Sequence, residues 1–250
     1  MRRRYWSISR ALLRNTQARG GEAIERIPLP PRFYARDPRS VSRELLGKVL
    51  VREQTNNLLT ARIVEVEAYL GTDDPAAHAA AGRTPRNQVL FGPPGRAYVY
   101  FIYGHHFCLN VSCLPDGVAG GVLFRALEPL AGIAAMARAR KISIRSDRDL
   151  RLLTSGPGRL AEAFGITRTR DNGKDFTRLD SDLRIEDDGF RVANVMVTPR
   201  IGIVKAADLP LRYVIAGNPF VSGPVKLRRL GAQHDVVNQS SATHKSSNRD

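Results

Sequence analysis

Between Ala61 and Leu70 the chain reads ARIVEVEAYL, an alternation that fixes it as a strand. Ile63, Glu65, Glu67 and Tyr69 fall on one face, and Val64, Val66, Ala68 and Leu70 on the other. The second face is wholly apolar and belongs against a core. The first carries two carboxylates and a phenol, an unusual load for a strand so rich in Val and Ile. Gly71 ends the run. Asp74 and Pro75 then read as the N-cap and first-turn proline of a short helix, PAAHAAA, that stops at Gly82. His78 falls in its first turn, where the partial positive charge of a helix N-terminus disfavours protonation. A strand carboxylate and a neutral imidazole on the next element can together orient and deprotonate a water.

The elements around this stretch mix without a regular βαβ rhythm. Ser40 to Leu46 reads as a helix closed by Gly47, Lys48 to Arg52 as a strand, and Asn56-Asn57 as the turn into the Ala61 strand. Tyr98–Tyr103, Phe107–Cys113 and Val122–Leu127 read as strands, and Pro129 opens an Ala-rich helix to about Arg140. Residues 141–153 read as a charged surface connection, Arg159 to Phe164 as a helix and 168–182 as an exposed loop. Leu183–Ile185, Val192–Thr198 and Leu211–Ile215 are the last strands. The expected fold is α+β, one domain over residues 27–230 built on a curved, mostly antiparallel sheet with flanking short helices.

Charge narrows the partner. The chain carries 39 Lys+Arg against 24 Asp+Glu, a formal +15, which argues for a polyanion, nucleic acid before membrane. Residues 1–26, with seven Arg and two Glu, contribute a third of that excess, and the Ser/Asn-rich residues 231–250 contribute none. The first segment reads as a basic, flexible arm, the alternatives being a transit-type segment or an extension without a role; the last reads as a disordered tail. Most of the charge therefore lies on the folded body, as a binding surface requires. No apolar run approaches the roughly 20 residues of a membrane span. Cys108 and Cys113, five apart on one strand, would point to opposite faces and cannot pair, and no metal-ligating set of Cys and His is visible.

Several further residues have chemistry that packing alone does not require. Tyr100 and Tyr103 stand three apart and project to opposite faces of their strand. Asn110, inside the apolar run LNVSC, is either a structural hydrogen-bond node or a reader of a base edge. Arg125, on the face shared with Leu123 and Leu127, is a buried cation that needs a carboxylate, and Glu67 is the obvious partner. The loop GRTPRN offers Arg83, Thr84, Arg86 and Asn87 as phosphate contacts. Ser155 and Gly156, ahead of a helix, can hold an anion at its N-terminus.

In order along the chain, RIVEVEAYLG, AHAAAGRTPRN, FGPPGRAYVYFIYGHHFCLNVS, LFRALEPLAG, SGPGRLAEAFGI and LRYVIAGNPFVSG resemble the alkyladenine (methylpurine) DNA glycosylase family, the type without a helix-hairpin-helix. The resemblance runs from about Pro31 to Ser222. It implies base-excision repair, in which a damaged purine is flipped from duplex DNA and its N-glycosidic bond hydrolysed, with no strand-cleaving lyase step and no cofactor or metal. It casts Glu67 as the general base on a water shared with His78 and Arg125, and Tyr69, His78 and Tyr100 as walls around the flipped base. Tyr103 resembles the wedge that enters the minor groove, and Asn110 the residue that rejects guanine through its exocyclic amine. His105 departs from the family pattern, standing where many relatives carry Met. The implied protein is an intracellular monomer working on DNA, in the bacterial cytoplasm or a eukaryotic nucleus or mitochondrion. A non-catalytic nucleic-acid-binding protein of the same fold is the alternative.

Overall fold

The computed structural model describes residues 27–102, 104 and 106–223. The expected basic arm, the expected wedge Tyr103, His105 and the expected tail lie outside the described residues. Eight strands form one curled antiparallel sheet, with β1 (Val49–Gln54), β2 (Asn57–Tyr69), β3 (Ala97–Ile102) and β4 (His106–Ser112) in its first half. The second half comprises β5 (Gly121–Ala131), β6 (Leu183–Glu186), β7 (Val195–Thr198) and β8 (Arg212–Ile215). The order is β3-β4-β5-β2-β1-β6, and β8, with β7 beyond it, joins the sheet through β2. The α+β architecture agrees with the sequence.

β2 organises this sheet. Along one edge it pairs with β5 over nearly its whole length, from Thr60↔Ala131 to Tyr69↔Gly121. Along the other, its first half pairs with β1 and its Glu65–Glu67 segment with β8, where Glu67 faces Arg212. The β1–β2 turn is Thr55-Asn56, one residue earlier than expected, because Gln54 and Asn57 already pair across the ladder. Val64, Val66 and Ala68 lie in the core with Val122, Phe124 and Ala126 of β5, as the alternation predicts. Ile63 and Leu127 also lie in that core rather than sharing the face of Glu65 and Arg125.

The reason is a local dislocation in the ladder. The register shifts by one residue between Ile63 and Glu65 and shifts back between Glu65 and Val66, leaving Val64 and Arg125 without partners across β2 and β5. Bulges of this kind re-aim the side chains beside them. On its other edge β5 turns to a different neighbour at the same point. Ala126 bridges to Ser155, and the Arg125 carbonyl accepts the Gly156 N–H at 2.8 Å.

The helices are short and lie over the sheet. They are α1 (Pro31–Tyr34), α2 (Pro38–Leu45), α3 (Ile133–Ala139), α4 (Asp147–Thr154), α5 (Pro157–Ala163) and α6 (Arg168–Asp171). Leu150 and Leu153 of α4 and Leu160, Ala161 and Ala163 of α5 are buried in the core. Three expectations fail here. Pro129 does not open a helix: it sits inside β5, opposite Ala61 where the register shifts again, and α3 starts only after Gly132. Gly132 takes a left-handed φ of 76°, and a β-carbon there would meet Leu59 at 2.5 Å. Residues 141–153 are not a plain connection, since Ser146 caps α4 by accepting the Asp149 N–H while its hydroxyl donates to the Asp149 carboxylate. Nor is 168–182 simply exposed: Asp171 is fully buried and paired with Arg52 at 2.7 Å, tying α6 to β1. Among the described residues no helix is long and apolar enough to cross a membrane.

Candidate active site

The C-terminal half of β2, β3, β4, β5 and the connection from β7 to β8 enclose a cavity of about 430 Å3. Its walls include Tyr69, His78, Tyr98, Tyr100, Asn110, Leu123, Arg125 and Ile201. Glu67 sits behind that wall, fully buried, and its carboxylate is bonded by three groups. The Tyr69 hydroxyl donates to Oε2 at 3.1 Å, the Ile201 N–H donates to Oε1 at 2.8 Å, and Arg125 Nη1 lies 3.1 Å from Oε1. Tyr69, Arg125 and Ile201 all line the cavity, so the carboxylate is aimed at it from beneath. Burial, followed by the Glu67 charge, pushes the Tyr69 phenol well up, so it stays protonated and donates.

Arg125 does pair with Glu67, but not with it alone. Its Nε bonds Glu65 Oε1 at 3.0 Å, and its Nη1 also donates to the Ile201 carbonyl at 3.3 Å. Glu65 is not a surface residue. It is fully buried and also receives Arg212 Nε at 2.7 Å, the Ser222 N–H at 2.6 Å and the Ser222 hydroxyl at 2.8 Å. Burial alone would raise the Glu65 carboxyl, but Arg212 and then Arg125 outweigh it and hold the group below its ordinary value.

His78 lies across the cavity, on a different local structure from the one expected. Residues 74–77 form a turn, and His78 begins a single four-residue 3-10 turn, His78–Ala81, rather than riding in an α-helix. Asp74 serves the turn: it accepts the Ala76 and Leu70 N–H groups, and a buried Arg200 grips it at 2.5 and 2.9 Å. The imidazole is still kept neutral, by burial first and the Arg86 charge second, rather than by a helix terminus. Its Nδ1 shares a 2.8 Å hydrogen bond with the Tyr98 hydroxyl, which leaves Nε2 for a ligand. The Tyr100 ring stands edge-on to it, centroids 4.4 Å apart. Tyr98 and the Arg200 clamp escaped sequence reasoning. Tyr98 stands two residues from the chosen Tyr100 and shares its face of β3, so both reach His78.

Asn110 proves to be a node at the cavity wall, donating Nδ2 to the Tyr98 carbonyl at 3.1 Å while lining the space. Of the residues marked for phosphate, Arg83, Thr84 and Arg86 are exposed, and Arg86 reaches the cavity rim with its guanidinium 5.8 Å from the Tyr100 ring. The Asn87 side chain is buried and fully engaged. It accepts the Thr84 N–H and donates to the carbonyls of His78 and Gly82, stitching the loop to the turn that carries His78. Ser155 is buried and the Gly156 N–H is taken by Arg125. Among the described residues no cluster of His, Cys, Asp and Glu could hold a metal ion, and Cys108 and Cys113 are buried free thiols.

These carboxyls link the site to acid stability. Burial would raise Asp74, but the Arg200 hydrogen bonds and the backbone N–H groups of Ala76 and Leu70 hold it below its ordinary value, as arginines hold Glu65. A depressed carboxyl contributes stability that is complete above its unfolded value of about 4 and lost as pH falls toward the folded one. The thermal midpoint, followed by circular dichroism, should therefore be level near neutrality and drop below about pH 4. A midpoint that rose on acidification would contradict this assignment.

Comparison with known proteins accords with the geometry. Residues 32–219 match the Methylpurine-DNA glycosylase (MPG) family. A Koribacter versatilis protein named "Putative 3-methyladenine DNA glycosylase" is 67% identical over 196 residues, 78% of this chain and 93% of that one. A Burkholderia lata protein of the same name is 47% identical over 214 residues, 84% of this chain and 100% of that one. With a match over most of its length and a buried carboxylate poised under an aromatic cavity, the chain belongs to the methylpurine-DNA glycosylase family, hydrolases that act on N-glycosyl bonds.

Proposed function

We propose that the protein excises damaged purines from double-stranded DNA, as a monomer inside the cell, by flipping the base into this cavity and hydrolysing its bond to deoxyribose. The observation that carries the proposal is the Glu67 carboxylate, wholly buried yet bonded only through groups that form the cavity wall. The cavity, about 430 Å3, falls within the roughly 300–1,000 Å3 of small-ligand pockets. Tyr69, His78 and Tyr100 supply electron-rich or neutral ring surfaces against which a flipped base stacks. An alkylated purine is a cation, so those faces attract it more than a normal base.

The mechanism follows from these positions. A water on the cavity side of Arg125 and the Ile201 carbonyl is deprotonated by Glu67 and attacks the sugar C1′. Before it takes that proton, the carboxylate's negative charge stabilises the oxocarbenium that develops there. Sugar hydrolases usually use two carboxylates; a purine made cationic by alkylation already leaves as a neutral base and needs no proton from a second. The described cavity wall contains no lysine, which favours hydrolysis over a Schiff-base route and hence release without strand cleavage. Arg83, Thr84 and Arg86, exposed on one loop, are assigned to the phosphates, with Asn87 holding that loop, Ser155 bridged to Ala126 and the Gly156 N–H fixing the Arg125 backbone. The wedge is assigned to Tyr103, in the β3–β4 connection, and rejection of guanine to Asn110.

The test is incubation with a methylated duplex, detection of free base, and borohydride trapping in parallel. Free methylpurine with intact strands and no trapped adduct is the expected result. Binding without release would leave only a nucleic-acid-binding protein, and a trapped adduct would overturn the hydrolytic route.

A further inference from the structure

Glu65 lines no part of the cavity, yet its carboxylate accepts four hydrogen bonds. An arginine facing a single carboxylate tends to close on it with both prongs of its fork. Arg125 does not: its Nε donates to Glu65, and only Nη1 comes within ion-pair distance of Glu67, while donating its hydrogen bond to the Ile201 carbonyl. The split has a structural cause in the ladder dislocation. It leaves Arg125 without a cross-strand partner and its backbone fixed instead by Gly156.

We propose that Glu65 is a positioning residue for catalysis: by taking Arg125 Nε it prevents the guanidinium from closing on Glu67, and so keeps the Glu67 carboxylate available to a water. The proposal rests on Glu67 being the base. Three arginines and three carboxylates make the surroundings electroneutral, with Arg212 on Glu65, Arg125 between Glu65 and Glu67, and Arg200 on Asp74. The groups that face Glu67 are Tyr69 and Glu65 from its own strand, Arg125 from β5, Arg212 from β8, Cys108 from β4 and Arg200 from the β7–β8 connection. Of the anions among these, only Glu65 competes for Arg125. Without it, Arg125 swings fully onto Glu67, which then becomes a weaker base and a poorer holder of water.

The test is single-turnover base release from methylated duplex across pH, beside binding to duplex with a stable abasic analogue. Glu65→Gln should lower the rate on the order of tenfold to a hundredfold through misplacement of Arg125. It should also move the acid limb of the profile to lower pH and leave analogue binding unchanged. Because Glu65→Gln leaves Arg212 unpaired and can fail to fold, the double variant Glu65→Gln/Arg212→Met is measured too. It restores charge balance and should recover thermal stability but neither the rate nor the acid limb. Recovery of rate and limb together with stability would reduce Glu65 to charge balance and overturn the proposal, as would a wild-type profile for Glu65→Gln. Glu67→Gln separates the two levels. If it is inactive while the Glu65 variants match wild type, only this inference fails; if it is fully active, the assignment of the base fails first.

Discussion

Glu67→Gln is expected to slow release of methylated base by about 10²–10⁴-fold, the usual worth of a positioned general base. The amide keeps an oxygen to accept the Ile201 N–H or the Tyr69 hydroxyl, but it cannot take a proton from water. The fold should survive, because Arg125 remains held by Glu65 and no buried cation loses its only partner. Lesion binding should survive as well, since the stacking walls are untouched. Single-turnover release with a melting curve and a binding isotherm checks all three. Release at the wild-type rate would end the mechanism, and a collapsed melting curve would show that Glu67 serves chiefly as a structural charge.

The largest loss of stability should come from Asp74→Asn. Asp74 and Arg200 are both fully inaccessible at their side chains, and the pair is gripped at 2.5 and 2.9 Å. Removing one charge strands the other in a low dielectric, at a cost of about 3–5 kcal/mol. For a domain of this size that lowers the thermal midpoint by roughly 10 °C. Adding Arg200→Met should recover much of it, as replacing both members of a buried pair often does. The same variant bears on the site. Arg200 lies 4.6 Å from the Tyr69 ring and precedes Ile201, whose N–H bonds Glu67, so loosening it frees both. Calorimetric unfolding decides the matter, and a loss under about 1 kcal/mol would mean that water enters and screens Arg200.

The legible and illegible parts of this protein divide by distance along the chain. Alternation in ARIVEVEAYL identified β2, its core face and the face that carries both carboxylates, because period-two patterning is local. The pairing of Glu67 with Arg125 was also legible, since a cation inside LFRAL has few acceptable partners. The fate of Glu65 was not. It depends on Arg212 and Ser222, about 150 residues downstream, and nothing in β2 announces that β8 will lie against it. The Asp74–Arg200 clamp was hidden in the same way, and Asp74 looked instead like a local helix cap. Two misses were local, and signals existed for both. Ser146 and Asp149 have the spacing of a capping box ahead of α4, and Gly132 marks the start of α3 better than Pro129 does.

The paired register shifts between β2 and β5 cancel, so the strands return to their original phase one residue later. The site thus depends on residue count as well as on residue identity. Inserting one residue between Val64 and Glu67 would turn the rest of β2 over. Glu67 would then point into the apolar core and Val66 or Ala68 toward the cavity, with the composition scarcely changed. In this stretch, substitutions have graded consequences, whereas a change of length has an all-or-none one.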